Sequence, residues 1–165
     1  MKSEEVKQLL KLKTDRLASL CERTSGLPNE TDIISIRREL KTVRSFLYML
    51  RLNQSNSDYR LPSETRRIYS LAKTVATSRE NIEKLQQAGG ADPGAVKQYE
   101  QHILEAMSEW KPQQARQAID KLTKVLFSIN YSKIQPAVLV NFFNTHNGEQ
   151  PNEEAVPHTE VHFED

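Results

Sequence analysis

Glycine and proline fall between stretches of helical apolar period in this chain, and hardly at all inside them. A residue with no amide hydrogen, or with no Cβ, ends or caps a helix. This punctuation therefore cuts the sequence into helices and leaves no alternating run for strands. The first predicted helix covers about Ser3 to Arg23, with Ser3 as N-cap, Glu4 and Glu5 in the first turn, and Val6, Leu9, Leu10, Leu17, Leu20 and Cys21 facing inward. Gly26-Leu27-Pro28-Asn29 breaks it. A second helix follows from about Thr31 or Asp32 to Leu52, and Asn53-Gln54-Ser55-Asn56-Ser57-Asp58 is a polar loop.

The third helix begins near Pro62-Ser63-Glu64, continues to Gln87 and ends at Gly89-Gly90, the usual asymmetry of Pro at a helix start and Gly past its end. Asp92 caps a fourth, with Pro93 at its first position, running to about Trp110. Pro112 restarts the chain as a fifth helix through Tyr131, with Ala115, Ala118, Ile119, Leu122, Val125, Leu126 and Ile129 inward. A short sixth covers about Pro136 to Asn144. Helices of this length joined by short loops predict an all-α fold: an antiparallel helical bundle of five to six helices over residues 1–144, followed by a disordered acidic C-terminal tail over 145–165.

A length of 165 residues suits one domain with one core. The longest apolar runs, such as Phe46-Leu47-Tyr48-Met49-Leu50, fall far short of the roughly 20 residues of a spanning helix. The N-terminus enters an amphipathic pattern directly, with no secretory signal. The single cysteine, Cys21, excludes an internal disulfide or a cysteine-rich zinc site and falls in line with Leu17 and Leu20 as a small buried hydrophobe. A cytoplasmic protein with no membrane contact is the expectation.

The net charge of +1 conceals an asymmetry. From Thr145 onward there are six acids (Glu149, Glu153, Glu154, Glu160, Glu164 and Asp165) and no Lys or Arg. Without them 23 basic residues face 16 acidic ones, a body of +7. A basic body with an acidic tail suggests an anionic partner and a tail that competes for the same surface; a solvated body with a solubilising tail is the plainer alternative.

The basic charge is concentrated on the second helix. At about 100° per residue, Arg37, Lys41, Arg44, Tyr48 and Arg51 fall near one line. Ile36, Leu40, Val43, Leu47 and Leu50 form another, roughly 100° round. The cations thus border the core, with stems on apolar surface and heads directed at a groove beside the next helix. Like charges three and four residues apart repel, and only Glu39 lies nearby to offset them. A bound anion relieves that repulsion; a solvated basic face is the alternative.

On the third helix Arg79 shares the apolar stripe of Ile68, Leu71, Ala72, Val75, Ile82 and Leu85. A charge on a core line needs a partner or a wet groove. Either it snorkels or pairs with an acid such as Glu39 or Glu83, or Arg79, Lys73 and Arg66 face the second helix across a shared cleft. Guanidinium groups suit phosphate through their planar fork.

The segment Ile34-Ser35-Ile36-Arg37-Arg38-Glu39-Leu40-Lys41-Thr42-Val43-Arg44 resembles the first motif of CHAD (conserved histidine α-helical) domains, in which a histidine is followed by arginines three, seven and ten residues on. Arg37, Lys41 and Arg44 match those three places, and Ile34 stands at the histidine's. Leu71-Ala72-Lys73 through Ser78-Arg79-Glu80 is similar to the family's following helix. The likeness covers about Val6 to Leu85 and corresponds to one half-domain, since no second His-Arg-rich helix follows. It implies a cationic helical surface that binds polyphosphate or a similar polyanion, with a homodimer completing the second half.

No P-loop, dinucleotide-binding turn, His-Glu-x-x-His or Cys-x-x-Cys motif occurs, so no cofactor, metal or enzymatic activity is expected. His158 and His162 sit in the tail beside Pro157, a poor setting for a metal site. Glu100 and His102 are two apart and share no helical face. Trp110 reads as a packing residue. Two functions follow: binding of a polyanion, polyphosphate or nucleic-acid backbone, through Arg37, Lys41, Arg44, Arg51, Lys73 and Arg79; or a helical adaptor docking on a protein partner, with Tyr48, Tyr69, Phe142 and Phe143 as contacts if exposed.

Overall fold

Apolar stripes at the helical period fold into six α-helices in the computed structural model, which describes residues 2–26, 28–56, 58–89 and 92–146. They are α1 (Ser3–Arg23), α2 (Glu30–Gln54), α3 (Ser63–Gln87), α4 (Pro93–Glu109), α5 (Pro112–Ser128) and α6 (Pro136–His146), with a 3-10 turn at Tyr131–Lys133. Among the described residues there is no strand, and the fold is an all-α helical bundle. No described helix is long and apolar enough to cross a membrane. The acids of the predicted tail, with His158 and His162, lie outside the described residues, while Thr145 and His146 belong to α6.

Several helix ends differ from the sequence expectation. Lys2, not Ser3, is the residue before the first turn of α1, and its amide donates to Glu5 Oε1 at 3.2 Å. Helix α2 starts before Thr31, because the Asn29 side chain caps it by accepting from the Asp32 amide at 2.8 Å. Gly89 follows α3 with φ of 75°, a left-handed conformation that favours glycine. Helix α5 stops at Ser128 rather than at Tyr131. Ile129 is extended, and Asn130 Oδ1 accepts from the Ser132 amide at 3.2 Å to start the 3-10 turn. That break swings Tyr131 into the core, where its hydroxyl donates to the Leu126 carbonyl at 2.6 Å.

Helix α3 is central, packing against α2, α4 and α5, while α1 packs against α2 and α5. The core line of α2 (Ile36, Leu40, Val43, Leu47, Leu50) is buried as its period predicts, and Phe46 joins it. Phe46 packs against Tyr131, Phe142 and Phe143, with ring centroids 5.2 to 6.1 Å apart, and so fastens α6 to the bundle. The buried polar atoms of Trp110 and Thr24 are matched. The Trp110 indole N–H donates to Thr24 Oγ1 at 3.2 Å, and that hydroxyl donates to the Cys21 carbonyl at 2.7 Å. Burial pushes the Cys21 thiol up to about 12, so it stays a neutral packing group.

Ion pairs stitch the helices together at their rims. Lys13 and Arg16 of α1 both reach Glu39 of α2 at 2.8 Å, and Arg23 reaches Asp32 at 3.0 Å. Arg116 of α5 pairs with Glu22, and Lys121 with Glu64 of α3. Pairs of this exposure contribute little stability each; their importance is that they engage acids away from the basic stripe.

The Glu64 pair carries a pH prediction. The hydrogen bond from Lys121 holds the Glu64 carboxyl down at about 2, below its usual 4.5. A depressed folded value favours the fold above the unfolded pKa, and the contribution disappears as pH falls from about 4.5 through about 2. Carboxyl-carbon NMR is expected to find the Glu64 midpoint near 2 in the native chain and displaced towards the usual range in Lys121→Met; the same midpoint in both contradicts the pairing.

Candidate anion-binding site

The stripe on α2 and the start of α3 face each other because Leu47 and Ile68 are both held in the core while their neighbours at the helix edges point into the gap. The result is a cleft of about 330 Å³ between the C-terminal half of α2, the connecting loop and the N-terminal half of α3. Arg44, Tyr48 and Arg51 line it from α2, Arg60 and Leu61 from the loop, and Arg66, Tyr69, Ser70 and Lys73 from α3. Five cations thus border one cleft, and among the described residues no Asp or Glu lines it.

Two arginines are pre-oriented by tyrosines. The Arg44 guanidinium lies 5.1 Å from the centroid of the Tyr69 ring, and its Nη1 donates to the Tyr69 hydroxyl at 3.2 Å. The Arg51 guanidinium lies 5.2 Å from the Tyr48 ring centroid. Ring faces attract cations and limit the rotamers of both side chains, so less freedom is lost when an anion binds. Arg44 and Arg51 are half-buried, whereas Arg60, Arg66 and Lys73 are exposed on the rim. A half-buried pair at the floor with mobile-stemmed cations at the rim suits an anion with several charged oxygens.

The six predicted residues do not converge on one place. Arg44, Arg51 and Lys73 meet in this cleft. Arg37 and Arg79 line a separate hollow of about 270 Å³ further along the α2–α3 groove, together with Arg38, Glu80 and Glu83. Lys41 lies between the two in sequence, is half-buried, and lines neither hollow.

Arg79 has its own carboxylate. Its Nε and Nη2 reach the two oxygens of Glu30 at 2.8 Å each, a bidentate pair across the α2–α3 interface. Glu30 also favours the charged form of Arg79, raising its pKa. The partner is neither Glu39 nor Glu83, the two acids the sequence suggested. Glu39 itself faces α1, where Lys13 and Arg16 hold it, so it does not neutralise the stripe.

Arg60 escaped the sequence reading because it sits in a loop, where no helical period fixes a side chain's direction. Of the four aromatic residues considered as protein contacts, Tyr69 is buried, Phe142 and Phe143 are half-buried against the core, and Tyr48 is half-buried at the cleft. Glu100, His102 and Glu105 are exposed on α4, and no group of three metal-ligating side chains occurs among the described residues. No protein family, curated protein or solved structure was found to match the chain.

Proposed function

We propose that this chain binds a polyanion, polyphosphate or a nucleic-acid backbone, without catalysis, through the cleft between α2 and α3. The observation that carries the reading is the gathering of Arg44, Arg51, Arg60, Arg66 and Lys73 around one cleft. Five cations gathered in one place favour an anion with repeating phosphates. The likeness of residues 34–44 to the CHAD motif supports the same ligand class. The cleft uses only Arg44 of the three matched cations, with Arg51 one helical turn pair further on.

Base recognition has less support. Tyr48 and Tyr69 already hold arginines on their rings, which leaves phosphate contact as the main mode. The adaptor alternative also has less: the large exposed apolar residues Leu12, Leu52 and Leu104 lie singly on three different helices and form no shared patch.

The test is a salt titration of binding to polyphosphate, single-stranded RNA and duplex DNA in parallel. If about five cations contact phosphate on a flexible chain, log K falls with log salt at a slope near −3, a loss of roughly 100-fold between about 50 and 200 mM. A slope near zero with retained affinity rejects phosphate contact and favours a protein-docking role.

A further inference from the structure

Helix α6 is joined to the bundle differently from the other five. Polar contacts cross between α1 and α2, α2 and α3, α3 and α4, and α3 and α5. Among the described residues no hydrogen bond or ion pair of α6 reaches another helix. Thr145 donates to the Asn141 carbonyl at 2.8 Å, and His146 Nδ1 lies 3.0 Å from the Phe142 carbonyl, both inside α6. Pro136 to His146 contains no Lys, Arg, Asp or Glu. Its attachment is therefore apolar: Leu139, its one fully buried residue, and the Phe142 and Phe143 rings, 5.2 and 5.6 Å from the ring of Phe46. The two rings seat in a groove formed by Leu9 and Leu10 of α1 with Val43 and Phe46 of α2. An isolated helix of 11 residues is marginal in water, so α6 persists only where such a groove receives it.

The joint that leads to α6 is short. Tyr131 and Ile134 are buried and anchor the chain as far as residue 134. Only Gln135, which is exposed, separates Ile134 from Pro136 at the start of α6. Ile134 is extended, with φ of −99° and ψ of 136°. Proline confines the residue before it to extended conformations as well. A short joint that favours straight conformations carries a weakly tied helix outward as readily as back.

We infer that α6 is an exchangeable arm, which docks in the α1–α2 groove of a second copy of this chain while that copy's α6 docks in return. The occupant follows from the groove itself, which already fits Leu139, Phe142 and Phe143, and a second copy carries the same helix. The contacts of the closed chain are remade in the two-fold dimer, so the joint and the concentration decide between the two forms. The inference does not depend on the anion-binding reading, because none of the residues at this groove lines the α2–α3 cleft.

In one chain the tether holds α6 beside its own groove at an effective concentration in the mM range, so exchange in the native chain is expected near about 1 mM. Deleting Gln135 removes the slack for folding back and leaves the crossing to a second copy open. Light scattering is expected to find the dimerisation midpoint lowered by at least about 100-fold. Phe142→Ser with Phe143→Ser in that background is expected to restore the monomer with most helicity retained. A deletion variant still monomeric at about 1 mM overturns the inference, as does a dimer that survives both serines. A second measurement keeps the native joint. Chains carrying a nitroxide at Thr145→Cys are mixed at high concentration with isotope-labelled chains that carry none; Cys21 is 1% exposed and does not take the label. Broadening in the isotope-labelled copy is expected at Leu9, Leu10, Thr42 and Val43, and to weaken several-fold when Gly-Ser-Gly-Ser is inserted after Gln135. Broadening centred on another face, or none between copies, rejects the exchange.

Discussion

Reversing the charge at Arg44, Arg51 and Lys73 together is expected to weaken polyphosphate binding by at least about 100-fold at low salt, at about 1 kcal/mol for each lost attraction and a similar amount for each new repulsion. These three residues line the same cleft from its two facing helices, so their effects act on one ligand. Arg44 also loses its contact with the Tyr69 ring, a stability cost of about 0.5 to 1 kcal/mol. For that reason the milder set Arg44→Gln, Arg51→Gln and Lys73→Gln accompanies it, with an expected loss of about 10-fold. Arg79→Met is the contrast: it breaks the Glu30 pair between α2 and α3 and is expected to change stability more than binding. Fluorescence anisotropy reads the binding, and far-UV circular dichroism checks that the helices persist. Equal losses from Arg79→Met and from the cleft set would mean that the affected ligand is not held in the cleft.

The second large effect concerns the scaffold. Phe46→Ala is expected to destabilise the fold by about 3 to 5 kcal/mol, a large share of the 5 to 15 kcal/mol that typical domains possess. Phe46 is buried where α2, the Tyr131 turn and α6 meet, and its ring touches three other rings. Truncation leaves a cavity beside α6, which has only Leu139 fully buried to hold it otherwise. A thermal melt is expected to shift down by about 6 to 20 °C. A shift of only a degree or two would mean that the four rings contribute little packing.

Most of the scaffold was legible because helix ends carry chemical signals. Asp92-Pro93 and Pro112 start helices in the fold as they do in the sequence pattern, and Gly89 takes the left-handed conformation after α3. The end of α5 was less legible, since Ile129 continues the apolar period while Asn130 and Tyr131 turn away from it to satisfy a side-chain cap and a buried hydroxyl. Competition between local hydrogen bonding and helix propagation has no signature in periodicity.

The site was legible in part, for a related reason. Helical period placed Arg44 and Arg51 at the border of the core, and the fold puts them at the floor of a cleft. It could not say which residues of α3 they face, because that depends on how the two helices cross and slide. Arg79 lies fourteen residues after Thr65, at the far end of the groove from Arg66, and so belongs to a different hollow from Arg44. Its partner Glu30 went unrecognised because the Asn29 cap starts α2 earlier than the apolar pattern does. Arg60, in the loop, has no period to reveal it.

Amide chemical-shift mapping with inorganic polyphosphate addresses the central claim most directly, since it reports where an anion sits and not only whether one binds. The account predicts that the largest changes cluster at Arg44, Arg51, Arg60, Arg66, Tyr69 and Lys73, with small ones at Lys11, Lys84 and Lys111 on other faces. Changes spread evenly over all the surface cations, or centred away from the α2–α3 cleft, would contradict it.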